Sequence, residues 1–269
     1  MNKSNIHRTI MYLKKREYIN SNYIKLTFTG TDIEPFSKCT VGANNKIFIP
    51  PKGVEEVIFP NNNLKDELEE TIAIRRTYTH AGMDLRKKEM YVEFVAHGVE
   101  GPASDYAINA PIGAPIGLAM KIKETELAPD VNSYYIIGDA TAIPVIKAIL
   151  KSLKADVNGE VFIEVSSQED YQSLNKPEGI NIHWIVNNKT AEDTVLADKA
   201  ITYLEAIGTD VTTRFAFIAC EFSNVRKLRN YFRKVKNWER EEVSAYSYWK
   251  YGVAETKSEK ERREEKNRL

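Results

Sequence analysis

Four consecutive residues at the end of an apolar segment, 76–79, have side chains suited to holding a nucleotide. Arg76 offers a planar fork of N–H donors that matches a pyrophosphate, and Tyr78 offers a flat ring against which a heterocycle can pack. Strand alternation puts Arg76 and Tyr78 on one face. Thr77 and Thr79 lie on the other face, where a hydroxyl could donate to a ring nitrogen. An amphipathic strand with a surface arginine is the competing interpretation.

The sequence HGVEGPASDYA, residues 97–107, predicts the start of a helix. Glycine is accepted at an N-cap and proline is favoured at the first helical position, so Gly101 and Pro102 suit this start. The free amides and the positive end of the helix dipole attract phosphate there. A plain strand-to-helix turn is the alternative. Because a hairpin can join 97–107 to 76–79, both segments could face one dinucleotide.

The elements that must position these segments are short strands. Residues 8–124 alternate apolar with polar side chains and are broken by clusters of Gly, Pro and Asn, which predicts an antiparallel barrel or sandwich. Within this half, 53–70 fits a hairpin arm followed by a polar connection, and we expect it to face solvent.

The pattern changes from about Ser133 onward. SYYIIGDA is a continuous apolar strand, TAIPVIKAILKSLK has helical spacing, and VFIEVSS is another apolar strand. Further strands and helices alternate up to a last strand at EVSAYSYWKYG. This order predicts a parallel sheet with helices on its faces.

The length of 269 residues favours two domains. We predict a β-barrel domain over 1–125, an α/β domain over 126–252 and a charged tail over 253–269. The mixed charges of the tail predict a solvated helix or a frayed end.

Composition excludes several classes of function. Lys plus Arg and Asp plus Glu each number 38, so no global positive field is present to hold nucleic acid. Cys39 and Cys220 are far apart and the four histidines have no ligand spacing, so we expect no protein-bound metal. No apolar run approaches the roughly 20 residues of a membrane helix, and no signal peptide is evident. We therefore expect a cytoplasmic monomer that binds neither membrane nor nucleic acid.

Five motifs carry a resemblance to a known family, and they occur in the family's order at 76–79, 97–107, 138–144, 219–223 and 248–252. By these motifs the chain resembles the siderophore-interacting proteins, which are flavin-dependent ferric-siderophore reductases within the ferredoxin-reductase-like superfamily.

The resemblance implies an FAD-binding antiparallel β-barrel followed by a nicotinamide-nucleotide-binding-like α/β domain. By motif, Arg76 would bind or lie near the FAD pyrophosphate, Tyr78 would lie against the flavin, and Thr79 would approach its reactive nitrogen. No side chain need act as a catalytic acid or base, because the flavin carries the electrons. The implied cofactor-binding residues are Arg76, Thr77, Tyr78, Thr79, His97, Gly101, Pro102, Ala103 and Ser104.

The resemblance also implies a donor and a substrate. Asp139, Thr141 and Ala142 would lie beside a nicotinamide, with an ordinary helix cap as the competing role. NADH, NADPH and a ferredoxin are the donors to consider. Lys189 is the one cation directly after the strand IHWIV that could bind the 2′-phosphate of NADPH, and Arg226 and Arg229 are further candidates that also fit a solvated helix face, which slightly favours NADH. The implied substrate is a ferric siderophore, often an anionic chelate. Its candidate contacts, each with a plain surface or core role as the alternative, are Lys46, Lys121, Lys250 and Trp249.

The implied function is reduction of siderophore-bound Fe(III) to release Fe(II). A general flavin or ferredoxin-type reductase and a siderophore-binding protein without turnover are the alternatives. Tyr106 stands where the family usually has Trp, and His80 and Ala81 stand where a further Arg is usual. Asp105 also places a carboxylate in the first turn after Gly101. Either the Asp105 carboxylate points away from the ligand and caps the helix, or the adenosine end of the FAD is bound differently here.

Overall fold

The computed structural model describes residues 5–60, 70–188, 192–209 and 211–253. The chain divides into two units, Met1–Leu127 and Ala128–Leu269. Lys189 and residues 254–269 of the predicted tail lie outside the described residues. No helix in the described ranges is both long and apolar enough to cross a membrane.

The first unit is built on a seven-stranded sheet in which every pairing is antiparallel. The strands are β1 (Ile6–Asn20), β2 (Tyr23–Thr29), β3 (Asn44–Ile49), β4 (Ile74–Thr79), β5 (Gly82–Asp84), β6 (Glu89–Val95) and β7 (Pro115–Lys121). Their order in the sheet is β4-β3-β7-β1-β2-β6-β5. The rings of Tyr78 in β4 and Phe94 in β6 lie 4.5 Å apart although their strands are near opposite ends of this order, so the sheet curls on itself.

The core of the first unit lies inside this curl. Alternation along the strands places apolar side chains on the face that packs in the core. In β1, Met11 and Leu13 are buried, and the residues between and beside them are exposed. Helix α1 (Pro102–Asn109) adds Ala103 and Ala107 to the same cluster. Each large side chain buried in this way contributes about 1.5–3 kcal/mol.

Residues 53–60 differ from the expected solvent-facing arm. Val57 is only 8% exposed, and the Phe59 ring packs edge-on against Phe48 at 4.9 Å. A Cβ at Gly117 would lie 2.7 Å from the Phe59 ring, so the missing side chain makes room for it. The expectation is wrong for Val57 and Phe59, because the outer face of the sheet carries its own apolar patch and covering it removes apolar surface from water. Gly53, Glu55 and Glu56 are exposed as expected, and residues 61–69 lie outside the described residues.

The second unit is a five-stranded sheet with every pairing parallel and the order β10-β9-β8-β11-β12. An α-helix makes each connection except the one from β9 to β10, where residues 166–179 contain only a 3-10 turn at Gln168–Asp170. The expected fold class is confirmed for both units. Because the strands are parallel, their carboxyl ends meet at one edge of the sheet. The elements are β8 (Ser133–Asp139), α2 (Ile143–Ser152), β9 (Asn158–Val165), β10 (Ile180–Val186), α3 (Val195–Ile207), β11 (Arg214–Glu221), α4 (Phe222–Asn230) and β12 (Val243–Trp249).

Candidate functional site

Strand β4 presents Arg76 and Tyr78 on one face. The register pairs Arg76 with the buried Ile47 of β3, and the half-buried Tyr78 ring packs against Phe94. Arg76 Nη1 donates to the carbonyl of Arg75 at 2.8 Å, and no carboxylate of the described chain pairs with its guanidinium. Most of its donors are therefore available to a ligand.

The opposite face of β4 carries Thr77, whose hydroxyl accepts from Lys46 Nζ on the neighbouring strand. Lys46 thus lies across the sheet from Arg76 and Tyr78. Thr79 is buried at the end of the strand. Lys121 is exposed at the end of β7.

The start of α1 has an open N-terminus. Gly101 is the N-cap in an extended conformation, Pro102 follows at the first helical position, and no side chain caps the first turn. The His97 amide donates to Ser104 Oγ at 3.2 Å, which folds the preceding loop back onto the helix. Gly98 has φ +94° and open space where a Cβ would lie. The backbone here is therefore shaped for close approach by a ligand.

Asp105 points away from this helix start. Its carboxylate accepts from Asn109 Nδ2 at 2.7 Å, one turn towards the carboxyl end. At that end Arg16 donates from Nε to the Ala107 carbonyl at 2.6 Å and from Nη2 to the Ala110 carbonyl at 2.5 Å. The cation complements the negative end of the helix dipole, and the positive end is left open.

Tyr106 is a core residue of the first unit. Its hydroxyl donates towards the carbonyls of Ala114 at 3.0 Å and Pro115 at 3.2 Å, joining α1 to the start of β7. Burial raises the pKa of the Tyr106 hydroxyl well above its usual range. Tyr106 stands where the resemblance leads us to expect Trp, and its hydroxyl bonds lie at the start of β7, not at the open end of the helix.

These features of the first unit fit a diphosphate beside a planar ring. Arg76 has uncommitted donors, Tyr78 is a half-buried ring on the same strand face, and the glycine-flanked start of α1 carries no capping side chain. All three features come from two short segments whose chemistry the sequence already indicated.

At the carboxyl edge of the second sheet, Asp139 is buried and accepts four hydrogen bonds. Its Oδ1 accepts from the amide and hydroxyl of Thr141 at 2.9 and 2.5 Å. Its Oδ2 accepts from the Glu221 amide at 3.0 Å and from Trp249 Nε1 at 2.8 Å. Burial raises the pKa of the Asp139 carboxyl, although these hydrogen bonds oppose the shift. Asp139 thus has the helix-cap role, and its acceptor capacity is filled within the protein.

Glu221 has a similar role one strand away. Its carboxylate accepts from the Ser223 amide at 2.5 Å, which caps α4, and from the Tyr251 amide at 3.2 Å. The buried Cys220 thiol beside it has its pKa raised by burial and by the neighbouring carboxylates. The three motifs of the second unit are therefore bonded to one another.

The turn after β8 is closely packed. A Cβ at Gly138 would lie 2.7 Å from Ala142 Cβ and 3.0 Å from the Ala219 carbonyl oxygen. Ala142 itself is fully buried. The glycine therefore permits strand-to-helix packing, and its backbone is covered where a phosphate would need to approach.

Sequence reasoning missed Glu164 at the same edge. Burial raises the pKa of its carboxyl to about 7, and Asn187 Nδ2 donates to it at 3.1 Å while also contacting Asp193. The sequence signal for this residue is a glutamate within the otherwise apolar strand VFIEVSS. The described residues contain no group of three or more His, Cys, Asp or Glu side chains that could hold a metal ion.

Comparisons with known proteins agree with the two-unit fold. Residues 12–120 match the siderophore-interacting FAD-binding domain, and 131–252 match the siderophore-interacting protein model. The chain is 28% identical over 267 residues to the ferric vibriobactin reductase ViuB of Vibrio cholerae, covering 96% of this chain and 94% of the relative.

Two further similarities are to proteins of other bacteria. A ferric acinetobactin reductase of Acinetobacter baumannii is 25% identical over 190 residues, or 70% of this chain and 64% of the relative. The crystal structure of the siderophore-interacting protein SipS from Aeromonas hydrophila superposes with a TM-score of 0.82 at 22% identity, over 97% of this chain and 98% of that one. The superposition supports the fold alone.

Proposed function

Because the chain belongs to the siderophore-interacting protein family, we propose that it reduces siderophore-bound Fe(III) to Fe(II) with FAD as its cofactor. The observation that carries this proposal is the match of 12–120 to the family's FAD-binding domain, which contains both segments with ligand-facing donors. Bound FAD would supply the conversion from a two-electron donor to a one-electron acceptor. Ferrous iron is held weakly by siderophores, so reduction releases it.

The chain's own residues would bind and orient the cofactor. Arg76 would donate to the diphosphate, together with the first amides of α1. Tyr78 would pack against the ring system, and its contact with Phe94 limits its rotation. Thr79 lies at the buried end of β4 on the face opposite Tyr78, so its backbone N–H or a twist at the strand end would have to bring its donor near the ring.

NADH is the electron donor that we propose. Lys189 is the single cation of the segment 187–193 that follows β10, so the sequence offers little positive charge there to bind the additional 2′-phosphate of NADPH. A ferredoxin is the alternative donor. For the ferric siderophore, Lys46, Lys121 and Lys250 are candidate cationic contacts and Trp249 is a candidate ring contact.

The test is anaerobic stopped-flow spectroscopy of the FAD-loaded protein. We expect NADH to reduce the flavin faster than NADPH or reduced ferredoxin does, and subsequent mixing with ferric siderophores to reoxidise it as an Fe(II) trap develops colour. Reoxidation by quinone or protein acceptors but not by ferric siderophores would instead identify a general reductase. Siderophore binding without flavin reduction by any donor would identify a binding protein.

Arg76→Ala tests the cofactor site directly. Loss of its charged hydrogen bonds should weaken FAD binding at least about tenfold, measured by quenching of flavin fluorescence. Arg75→Ala is the matched control, because Arg75 is the exposed neighbour on the other face of β4. Equal FAD affinity in the wild-type protein and the Arg76→Ala variant would contradict the assigned role.

A further inference from the structure

Strand β10 is an edge strand that lacks the usual protection against further pairing. It is first in the order of the second sheet and, among the described strands, pairs with β9 alone. Proteins normally guard such edges with charges, proline, bulges or very short strands. The sequence of β10, INIHWIV, has seven residues, no charge and no proline, and it pairs with β9 without a register shift. Nothing in β10 itself therefore opposes the addition of another strand.

The other edges of the two described sheets are guarded. Strand β4 carries Arg75 and Arg76, and β5 has only three residues. Strand β12 has a register shift against β11, between Cys220 and Glu221. The contrast identifies β10 as the edge that is open to pairing.

Half of the backbone groups of β10 point away from β9. The Asn187 amide, directly after the strand, donates to the Val165 carbonyl of β9 at 2.9 Å. Successive residues of a strand direct their backbone groups to opposite edges, so Ile182, Trp184 and Val186 direct their N–H and C=O groups outward. Across the described ranges, no backbone group bonds to these outward donors and acceptors. The outward edge therefore offers a complete row of hydrogen-bonding groups.

The side chains of the same three residues form an apolar strip. They lie on one face of the sheet, beside buried aliphatic side chains of β9. The Trp184 ring stacks on Tyr171 at 5.0 Å, and Val186 is exposed. The connection from β9 to β10 forms no α-helix that could cover the strip. An added strand would therefore gain apolar contacts as well as hydrogen bonds.

We propose that β10 pairs antiparallel with β10 of a second copy of the chain, around a two-fold axis at Trp184. In this register Trp184 lies opposite its own counterpart, and Ile182 lies opposite Val186. Each outward amide then faces an outward carbonyl, and apolar side chains face apolar side chains. The two five-stranded sheets join into one. This dimer differs from the monomer that the sequence led us to expect.

The strand is complementary to itself. Because β10 carries no charge, it has no electrostatic preference for a charged partner protein. A two-fold axis requires the same surface on both copies, and β10 meets that requirement. A register centred on His183 would instead place the Val186 carbonyl opposite the Ile180 amide, which already donates to the Pro177 carbonyl at 3.2 Å. The axis at Trp184 leaves no outward group of the three residues unmatched.

Association is measured by sedimentation velocity of the full, FAD-loaded chain over a range of concentrations. A single strand pair is a small interface, so the wild type should shift gradually towards twice the chain mass of 30.7 kDa as its concentration rises. A wild type that stays monomeric up to several hundred micromolar would overturn the proposal. The measurement needs no turnover, so its outcome is independent of the proposed function.

Val186→Pro tests the outward hydrogen bonds. Proline removes one outward amide and leaves the bonds to β9 in place, so it should weaken association at least about tenfold. Val186→Ala is the matched control, because it shortens the same side chain and keeps the amide. Equal dimer dissociation constants for the two variants would contradict main-chain pairing at this edge.

Disulfide formation tests the register. Trp184→Cys should give a covalent dimer on mild oxidation, because directly opposed residues of a hydrogen-bonded pair have Cα atoms about 5.5 Å apart, within the range of a disulfide. Val186→Cys is the matched control and should stay monomeric, since its counterpart lies four residues away along the paired strand. The native Cys39 and Cys220 are buried and do not compete. Equal cross-linking of the two variants would show that the register is wrong.

Opposite charges at position 184 test the two-fold axis. Trp184→Lys and Trp184→Glu should each be monomeric because like charges would lie opposite each other, and an equimolar mixture should restore the dimer. Val235→Lys and Val235→Glu, at an exposed valine after α4, should leave association unchanged. If both Trp184 variants are folded by circular dichroism and their mixture stays monomeric, the proposed pairing is wrong. Val186→Pro keeps the proposal testable if the Trp184 variants unfold, because Val186 is exposed.

Discussion

His80 is a buried histidine that should make the protein sensitive to acid. Its side chain is 0% exposed, and neither ring nitrogen has a hydrogen-bond partner in the described part of the chain. Its backbone is fixed, since the His80 amide donates to the Ala43 carbonyl at 2.8 Å. Burial lowers the pKa of His80 from 6.5 to about 4, so the folded protein keeps the ring neutral.

The sign and size of the effect follow from this difference in pKa. Below pH 6.5 the unfolded chain gains a proton that the folded chain does not, so stability falls as the pH drops towards 4. Between pH 7 and pH 4.5 the free energy of unfolding should decrease by about 2 kcal/mol through His80 alone. His80→Leu removes this dependence, and at pH 7 it should also stabilise the fold by about 1 kcal/mol by eliminating unpaired polar atoms.

Urea unfolding followed by circular dichroism at pH 7 and pH 4.5 measures the effect as wild type minus variant, which cancels the other titrating groups. Asn45→Leu is the matched control, because Asn45 is also 0% exposed and both its amide atoms lack partners among the described residues, but it does not titrate. Asn45→Leu should therefore stabilise equally at both pH values. If the difference in free energy of unfolding between wild type and His80→Leu is the same at both pH values, the conclusion that the buried His80 ring stays neutral is wrong.

Two further predictions concern the buried polar groups of each unit. Tyr106→Phe removes the hydroxyl that donates to the carbonyls of Ala114 and Pro115 and should lower the free energy of unfolding by about 1 kcal/mol, because the Ala114 carbonyl keeps its bond from the Leu13 amide. FAD affinity, measured by fluorescence titration, should stay the same. A weakened affinity would indicate that Tyr106 contacts the cofactor. Glu164→Gln should stabilise the protein by about 2 kcal/mol at pH 8 but not at pH 4.5, because the folded carboxyl has a pKa of about 7 and loses stability as the pH rises from 4.5 through 7. Denaturant titrations at the two pH values check this, and a constant difference would contradict it.

Local patterns were sufficient to predict the fold class. Period-two alternation over 8–124 is typical of a sheet with one covered face. The unbroken apolar runs after Ser133 are typical of a parallel sheet that is covered on both faces. The strand order was not predictable in this way. β1 pairs with both β2 and β7, and the second partner is set by long-range packing that no short window contains. The burial of Val57 was missed for the same reason, because its partners come from distant strands.

The candidate cofactor site was predictable to the extent that each segment carries its own chemistry. Arg76 and Tyr78 share a face because strands alternate, and Gly101 starts a helix because of its own neighbours. The direction of Asp105 was left open by the sequence and is decided by Asn109, one turn away. The role of Asp139 depended on Trp249, whose indole arrives from a strand at the end of the second unit.

Motifs of similar prominence in the sequence have different physical roles in the two units. In the first unit, Arg76 and the start of α1 keep donors that the protein itself does not use, so substitutions there should change ligand affinity directly. In the second unit, Asp139 and Glu221 direct their acceptors at other motif residues, so substitutions should act through the orientation of Trp249 and the chain after it. Whether a motif's polar atoms are satisfied internally therefore determines which measurement will detect its loss: a ligand-binding constant in the first case, and the environment of the Trp249 indole in the second.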